Sequence, residues 1–227
     1  MPGIFVIFLI AALAVAFFAK QRYEAAFAYG IKAAMPGGQT AADVAREFLE
    51  ANEAADVKIV EHSATVTDYF DPKRRCLFLH RDVMNGRSAV AWAIALHEAS
   101  HAAQPVKSVE IRMSNIKLTR YVPALTALAF LVLGFLKRVP FPIGLRITAV
   151  IWFIIMLLNV MSLAVEFNAS ARAMAFLEQK LSRCDSLLET LTRVLKGVAW
   201  RDTAAFLRSP LYCLFGLLPV GGKLRPR

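Results

Sequence analysis

The stretch Ser88-Ala89-Val90-Ala91-Trp92-Ala93-Ile94-Ala95-Leu96-His97-Glu98-Ala99-Ser100-His101-Ala102-Ala103-Gln104-Pro105 decides how the rest of the chain is read. Asn85-Gly86 breaks the chain ahead of it. Ser88 is an N-cap residue, able to accept a backbone N–H that the first helical turn leaves over. Pro105 closes the run, because its ring biases the residue before it away from helix. The Ala-rich interior holds neither Gly nor Pro, so a helix to about Gln104 is expected. On such a helix His97 and His101 are separated by a net rotation of about 40°, and both imidazoles leave one face. Glu98 sits one step round.

Two imidazoles on one face can reach a single Zn2+ at about 2.0–2.1 Å, and a neighbouring carboxylate can take a proton from the water the ion acidifies. This is the HExxH arrangement of zinc hydrolases. Chance placement in a chain of this composition gives about 0.003 such motifs, before the helical setting is counted. The chemistry needs a third protein ligand and an open fourth position. A metzincin would place Gly and His where this chain has Gln104 and Lys107, so that class is excluded. Downstream of His101 the carboxylates of this length are Glu110, Glu166, Glu178 and Glu189. Glu110 follows Pro105 closely and reads as an exposed residue. Glu166 is better placed: with Asn159, Ser162 and Ser170 it forms a polar stripe on an otherwise apolar helix. Polar groups at membrane depth face a bundle interior or a wet cavity. Asn159 and Ser162 can be satisfied by bonds between helices, whereas a buried carboxylate needs a cation.

Outside that helix the chain is unusually apolar. Of 227 residues 57% are hydrophobic and only 19% charged, with a mean hydropathy of +0.49, which excludes disordered, collagenous and ordinary soluble composition. Gly3 to Ala19 carries no charge and covers about 26 Å as a helix, enough for a first span. Met1-Pro2 supplies no basic side chain ahead of it, so an anchor is expected rather than a cleaved signal. Tyr121 to Leu136 and Ile143 to Val165 flank Pro140-Phe141-Pro142 and read as a transmembrane hairpin, with Arg146 near enough to an end to snorkel. Leu211 to Val220 is too short to span and reads as interfacial. Lys20, Arg22, Lys32, Lys107, Arg112, Lys117, Arg120, Arg172, Lys180 and Arg183 outnumber Lys137, Arg138 and Arg146 of the hairpin turn, which puts the polar parts in the cytoplasm. Two spans lie between His101 and Glu166, so both return to one side of the membrane.

Between the first two spans, Thr40-Ala41-Ala42-Asp43 has capping-box spacing ahead of an amphipathic helix of about 40–53, with Val44, Phe48 and Ala51 on one face. Val57 to Val60, Thr65 to Phe70 and Cys76 to His80 read as strands, with Asp71-Pro72-Lys73 as a turn. They imply a short antiparallel sheet. Cys76 to His80, just before the histidine helix, could pair with an extended peptide. Cys76, Cys184 and Cys213 lack CxxC spacing and read as free thiols.

At Asp68-Tyr69-Phe70-Asp71-Pro72, at His97 through Gln104, and at Val165-Glu166-Phe167-Asn168-Ala169-Ser170 the chain resembles the YugP-like neutral zinc metallopeptidases, small bacterial membrane proteins. The resemblance covers roughly 40–182 plus the apolar N-terminus. It implies one Zn2+ held by His97, His101 and Glu166, with Glu98 as the catalytic carboxylate. The chain departs from the family at Ser100, where Gly is usual, and in its C-terminal part.

The expected architecture is a mainly α membrane protein: transmembrane helices plus a small zincin-like α+β metalloprotease domain. Its parts are an anchor at 1–19, a catalytic part at 20–120, the hairpin at 121–165, a ligand-bearing helix and its successor at 166–200, and a membrane-associated segment at 201–227. The expected function is a zinc metalloendopeptidase of the bacterial inner membrane acting on peptides or proteins. Tyr69, His62, His80 and Tyr121 are candidates to assist the developing oxyanion. Competing readings are a noncatalytic zinc-binding adaptor, and a basic protein binding acidic lipid or nucleic acid. The net charge of +10 motivates the last, but Lys73-Arg74-Arg75 and the tail Lys223, Arg225 and Arg227 have no interleaved aromatic platform, so no nucleic-acid partner is expected.

Overall fold

The computed structural model describes residues 3–63, 68–182 and 184–205. The expected interfacial segment at 211–220, Cys213 and part of the strand expected from Thr65 lie outside the described residues. Among the described residues the chain is mainly helical, with three long apolar helices: α1 (Gly3–Gly30), α5 (Val106–Phe135) and α6 (Phe141–Lys180). All three are long and apolar enough to cross a membrane. The shorter helices are α2 (Ala41–Ala51), α3 (Arg81–Met84), α4 (Ala89–Ser100), α7 (Asp185–Val198) and α8 (Arg201–Ala204). Cys76 and Cys184 are free thiols.

Two compact units divide the chain, and the long helices contribute to both. The first takes in 3–21, 112–164 and 200–205. Its packing is that of a helical hairpin with a companion: Ala12 and Ala16 of α1 are fully buried beside Ile155 and Met156 of α6, small residues letting backbones approach. Phe8 stacks on Phe153 with ring centroids 4.5 Å apart. Polar side chains here satisfy one another. Asn115 donates to Ser162 Oγ at 2.6 Å, Asn159 donates to Thr119 Oγ1, and the buried Arg112 guanidinium meets Asp202 at 2.9 Å. Pro123 lies inside α5, and Trp152 Nε1 donates to its carbonyl at 3.0 Å.

The second unit comprises 22–63, 68–111, 165–182 and 184–199 among the described residues. Helix α2 begins as its sequence dictates: Thr40 Oγ1 accepts the Asp43 N–H and Asp43 accepts the Thr40 N–H, a complete capping box. These bonds hold the Asp43 carboxyl below its ordinary range, the Thr40 side chain first and its backbone second. Val44, Phe48 and Leu49 face inward and are buried. The opposite side of α2 is tied down by Glu47, which pairs with Lys180 at the end of α6.

The sheet corrects one expectation. Strands β1 (Lys58–His62), β2 (Tyr69–Asp71) and β3 (Cys76–His80) lie in the order β1-β3-β2. β2 and β3 are antiparallel neighbours, joined by the foreseen turn, in which Asp71 Oδ1 accepts the Lys73 and Arg74 N–H groups. β1 instead pairs parallel with β3. The sheet is therefore mixed, because β3 inserts between two strands that are neighbours in sequence. β3 is thereby bonded to β1 along Cys76–His80 and to β2 along Cys76–Phe78, so the outer edges of the sheet belong to β1 and β2.

Helix α4 starts at the Ser88 cap, whose Oγ accepts the Ala91 N–H at 3.3 Å. Every residue from Ala89 to Ser100 is buried, as expected of a helix apolar all round. It ends at Ser100, four residues before Gln104, and continues as a tighter 3-10 turn, His101–Ala103.

Candidate metal centre

His97 lies in the last turn of α4 and His101 opens the 3-10 turn after it, so the two rings stay on one side. Their centroids are 5.1 Å apart and the planes nearly perpendicular, at 88°. Glu166 of α6 meets them. His97 Nε2 is 3.0 Å from Glu166 Oε2 and His101 Nε2 is 4.0 Å from the same oxygen. Among the described residues these three form a group whose ligand atoms all lie within 4.8 Å of one another. All three side chains are buried.

The donor set suits zinc. Two imidazole nitrogens and one carboxylate oxygen are the borderline ligands that Zn2+ takes in catalytic sites, and bonds of 2.0–2.1 Å in a tetrahedral shell require ligand atoms about 3.3 Å apart. Spacings of 3.0 Å and 4.0 Å bracket that requirement. A carboxylate with only 3% of its residue surface exposed is costly without a cation, and the three-residue group is where a cation fits.

Both rings are held from behind. His97 Nδ1 lies 3.0 Å from Ser170 Oγ, and Ser170 Oγ donates to the Leu195 carbonyl of α7 at 3.0 Å. His101 Nδ1 lies 2.7 Å from Gln104 Oε1. The Gln104 amide donates to the Val165 carbonyl and to Asn168 Oδ1, each at 2.9 Å. Arg172 Nε also donates to Asn168 Oδ1, at 3.1 Å. Thus Glu166, Asn168 and Ser170, two residues apart along α6, each serve the same group of side chains. Ala169 between them is fully buried, and its small side chain admits close packing.

Glu98 is fully buried on α4 beside His97. Glu110 is exposed on α5 and outside the ligand group. Ser100, also buried, turns its hydroxyl onto the Leu96 carbonyl at 2.7 Å, so the serine is satisfied within its own helix. Asn159 and Ser162 bond to α5, separating them from Glu166 and Ser170 on the stripe. Of the oxyanion candidates, Tyr69, His62 and His80 gather on the sheet: Tyr69 stacks on Phe78 at 4.9 Å, and the His62 and His80 rings are 5.8 Å apart. Burial, with Asp71 nearby, raises the Tyr69 hydroxyl above its ordinary pKa. Tyr121 belongs to the other unit and is 48% exposed. The sequence places Ser170 on the polar stripe and Gln104 and Asn168 in the motifs that carry the resemblance, but does not tie any of the three to the histidine rings. Their signal was positional, at three residues after His101 and at two and four after Glu166.

Two histidines four apart, one in the last turn of α4 and one opening the 3-10 turn that follows, joined by a glutamate from a later helix, make the two-imidazole, one-carboxylate donor set of zinc-dependent hydrolases. Comparison with known proteins agrees. The profile of the family described as "Putative neutral zinc metallopeptidase" matches residues 5–218. The chain is 32% identical over 221 residues to the "Putative membrane protease YugP" of Bacillus subtilis (strain 168), a match covering 95% of this chain and 94% of that protein. No solved structure matches it. The chain belongs to this neutral zinc metallopeptidase family.

Proposed function

We propose that the chain is a membrane-embedded zinc endopeptidase. The observation that carries the proposal is the buried convergence of His97, His101 and Glu166, with Glu98 next in sequence to the first of them. In this reading His97, His101 and Glu166 hold one Zn2+. The bound ion supplies Lewis acidity, polarising a peptide carbonyl and acidifying water. Glu98 takes a proton from the attacking water on its carboxylate and delivers it to the departing amine. Burial around α4 keeps bulk water away from the reacting groups and strengthens their electrostatics. In this reading α1, α5 and α6 are the spans of a bacterial inner-membrane protein with its metal centre on the cytoplasmic side, an orientation supported by the excess of basic residues flanking them. The substrate is a peptide or protein.

The test is metal analysis and peptide hydrolysis by detergent-purified wild type beside Glu98→Gln and Glu166→Ala. Wild type is expected to carry one zinc per chain and to lose turnover to a chelator. Glu98→Gln should keep the metal and lose turnover, and Glu166→Ala should lose both. Undiminished hydrolysis by Glu98→Gln would refute the peptidase assignment, and equal zinc in Glu166→Ala would remove that carboxylate from the shell.

A further inference from the structure

We infer that Gln104 and Ser170 are positioning residues that lock both histidines in one tautomer, with the proton on Nδ1 and the lone pair on Nε2. This rests on the zinc-binding reading above and adds to it which residues aim the ligands.

The Leu195 carbonyl can only accept, so the Ser170 hydroxyl spends its single proton there. Toward His97 Nδ1, 3.0 Å away, Ser170 Oγ can then only accept, and the ring must carry its proton on that nitrogen. Gln104 is fixed in the same way. The Val165 carbonyl accepts only, and Asn168 Oδ1 is identified as the oxygen because Arg172 Nε–H donates to it as well. Both amide protons of Gln104 are thereby committed to α6, and Oε1 is what remains to face His101 Nδ1 at 2.7 Å. That ring too must donate from Nδ1. Each Nε2 then presents a lone pair toward Glu166 Oε2. Two acceptors 3.0 Å apart, His97 Nε2 and Glu166 Oε2, are placed as ligands of one cation, not as donor and acceptor.

Gln104 does more than orient a ring. Its amide joins the turn that carries His101 to the turn of α6 that carries Glu166, bonding one residue before that glutamate and two after it. It therefore fixes the separation of ligands that come from distant parts of the chain. Partners of this kind, which orient a ligand without touching the ion, are worth about 10–100-fold in metal affinity.

The experiment compares full-length wild type with Ser170→Ala, Ser170→Thr and Gln104→Met. Zinc affinity is read by competition with a chromophoric chelator, and ring protonation by 15N spectra of the metal-free protein. Ser170→Ala and Gln104→Met should each bind zinc about 10–100-fold more weakly, and the ring facing the substituted residue should lose its uniform Nδ1–H signature. Ser170→Thr keeps a hydroxyl and should restore both readouts. Wild-type affinity in Ser170→Ala and Gln104→Met, with melting unchanged, would overturn the inference and leave the zinc reading standing. Wild type that takes up no zinc would instead sink the zinc reading. In that case, or if the variants fail to fold, the wild-type 15N spectrum still decides: Nδ1–H on both rings supports the inference and Nε2–H on either overturns it.

Discussion

The polar residues of α6 meet two different fates along a single helix. In the unit containing 112–164, Asn159 and Ser162 bond to Thr119 and Asn115 of α5, and the pairs close on themselves. In the unit containing 165–199, Glu166 and Ser170 are directed at His97 instead. Helical periodicity groups all four on one stripe and cannot tell these roles apart. What separates them is the partner: neutral amides and hydroxyls satisfy each other in apolar surroundings, whereas a buried carboxylate set against two imidazoles calls for a cation.

That contrast can be broken most severely at Glu98. Glu98→Gln should lower peptide hydrolysis by about 10²–10⁴-fold, the usual reach of a general base, while zinc content stays at the wild-type level. Next in size is the metal's effect on folding. At zinc a hundredfold above its dissociation constant the wild type should gain about 2.7 kcal/mol, seen as a rise in Tm on zinc addition, and Glu166→Ala should show no rise. The neutral pairs should matter less. Thr119→Val together with Asn159→Leu should change stability by about 0.6 kcal/mol and leave zinc affinity intact; a loss of metal there would erase the distinction between the two stretches of α6.

Smallest is the cap of α2. Thr40→Ala should cost about 1 kcal/mol near neutral pH. Because the folded Asp43 carboxyl sits below its ordinary value of 3.8, its contribution is complete above that pH and fades as the pH falls through the folded value. The stability difference between wild type and Asp43→Asn should accordingly shrink in acid, measured by denaturant titration at several pH values. A difference that grows in acid would contradict the capping geometry.

The features legible in the sequence are those governed by local spacing. The His97 and His101 pair follows from a four-residue step, the Ser88 and Thr40 caps from one side chain and the next turn, and the three apolar helices from uninterrupted composition. Glu166 is legible because a carboxylate on the polar stripe of an otherwise apolar helix has few alternatives. Features that depend on partners distant in sequence were not legible. Nothing in Lys58–His62 distinguishes parallel from antiparallel pairing, since that depends on β3 inserting between β1 and β2. The reach of Gln104 to Val165 and of Ser170 to the Leu195 carbonyl likewise spans chain that only folding brings together. The end of α4 at Ser100 is not legible either, because Ala102 and Ala103 suit an α-helix and a 3-10 turn alike.

The seat of α7 carries a practical consequence. A methyl group on Gly197 would come within 2.2 Å of Ala26 Cβ, and one on Gly30 within 2.3 Å of Val194 Cγ2, so α7 lies against the C-terminal end of α1 with no room for even one carbon more. The backbone oxygen of Leu195 that engages Ser170 belongs to that same tightly seated helix. The C-terminal end of α1 is therefore part of the bedding beneath a histidine ligand, and a soluble fragment that began after Gly30 would disturb the very centre it was meant to preserve.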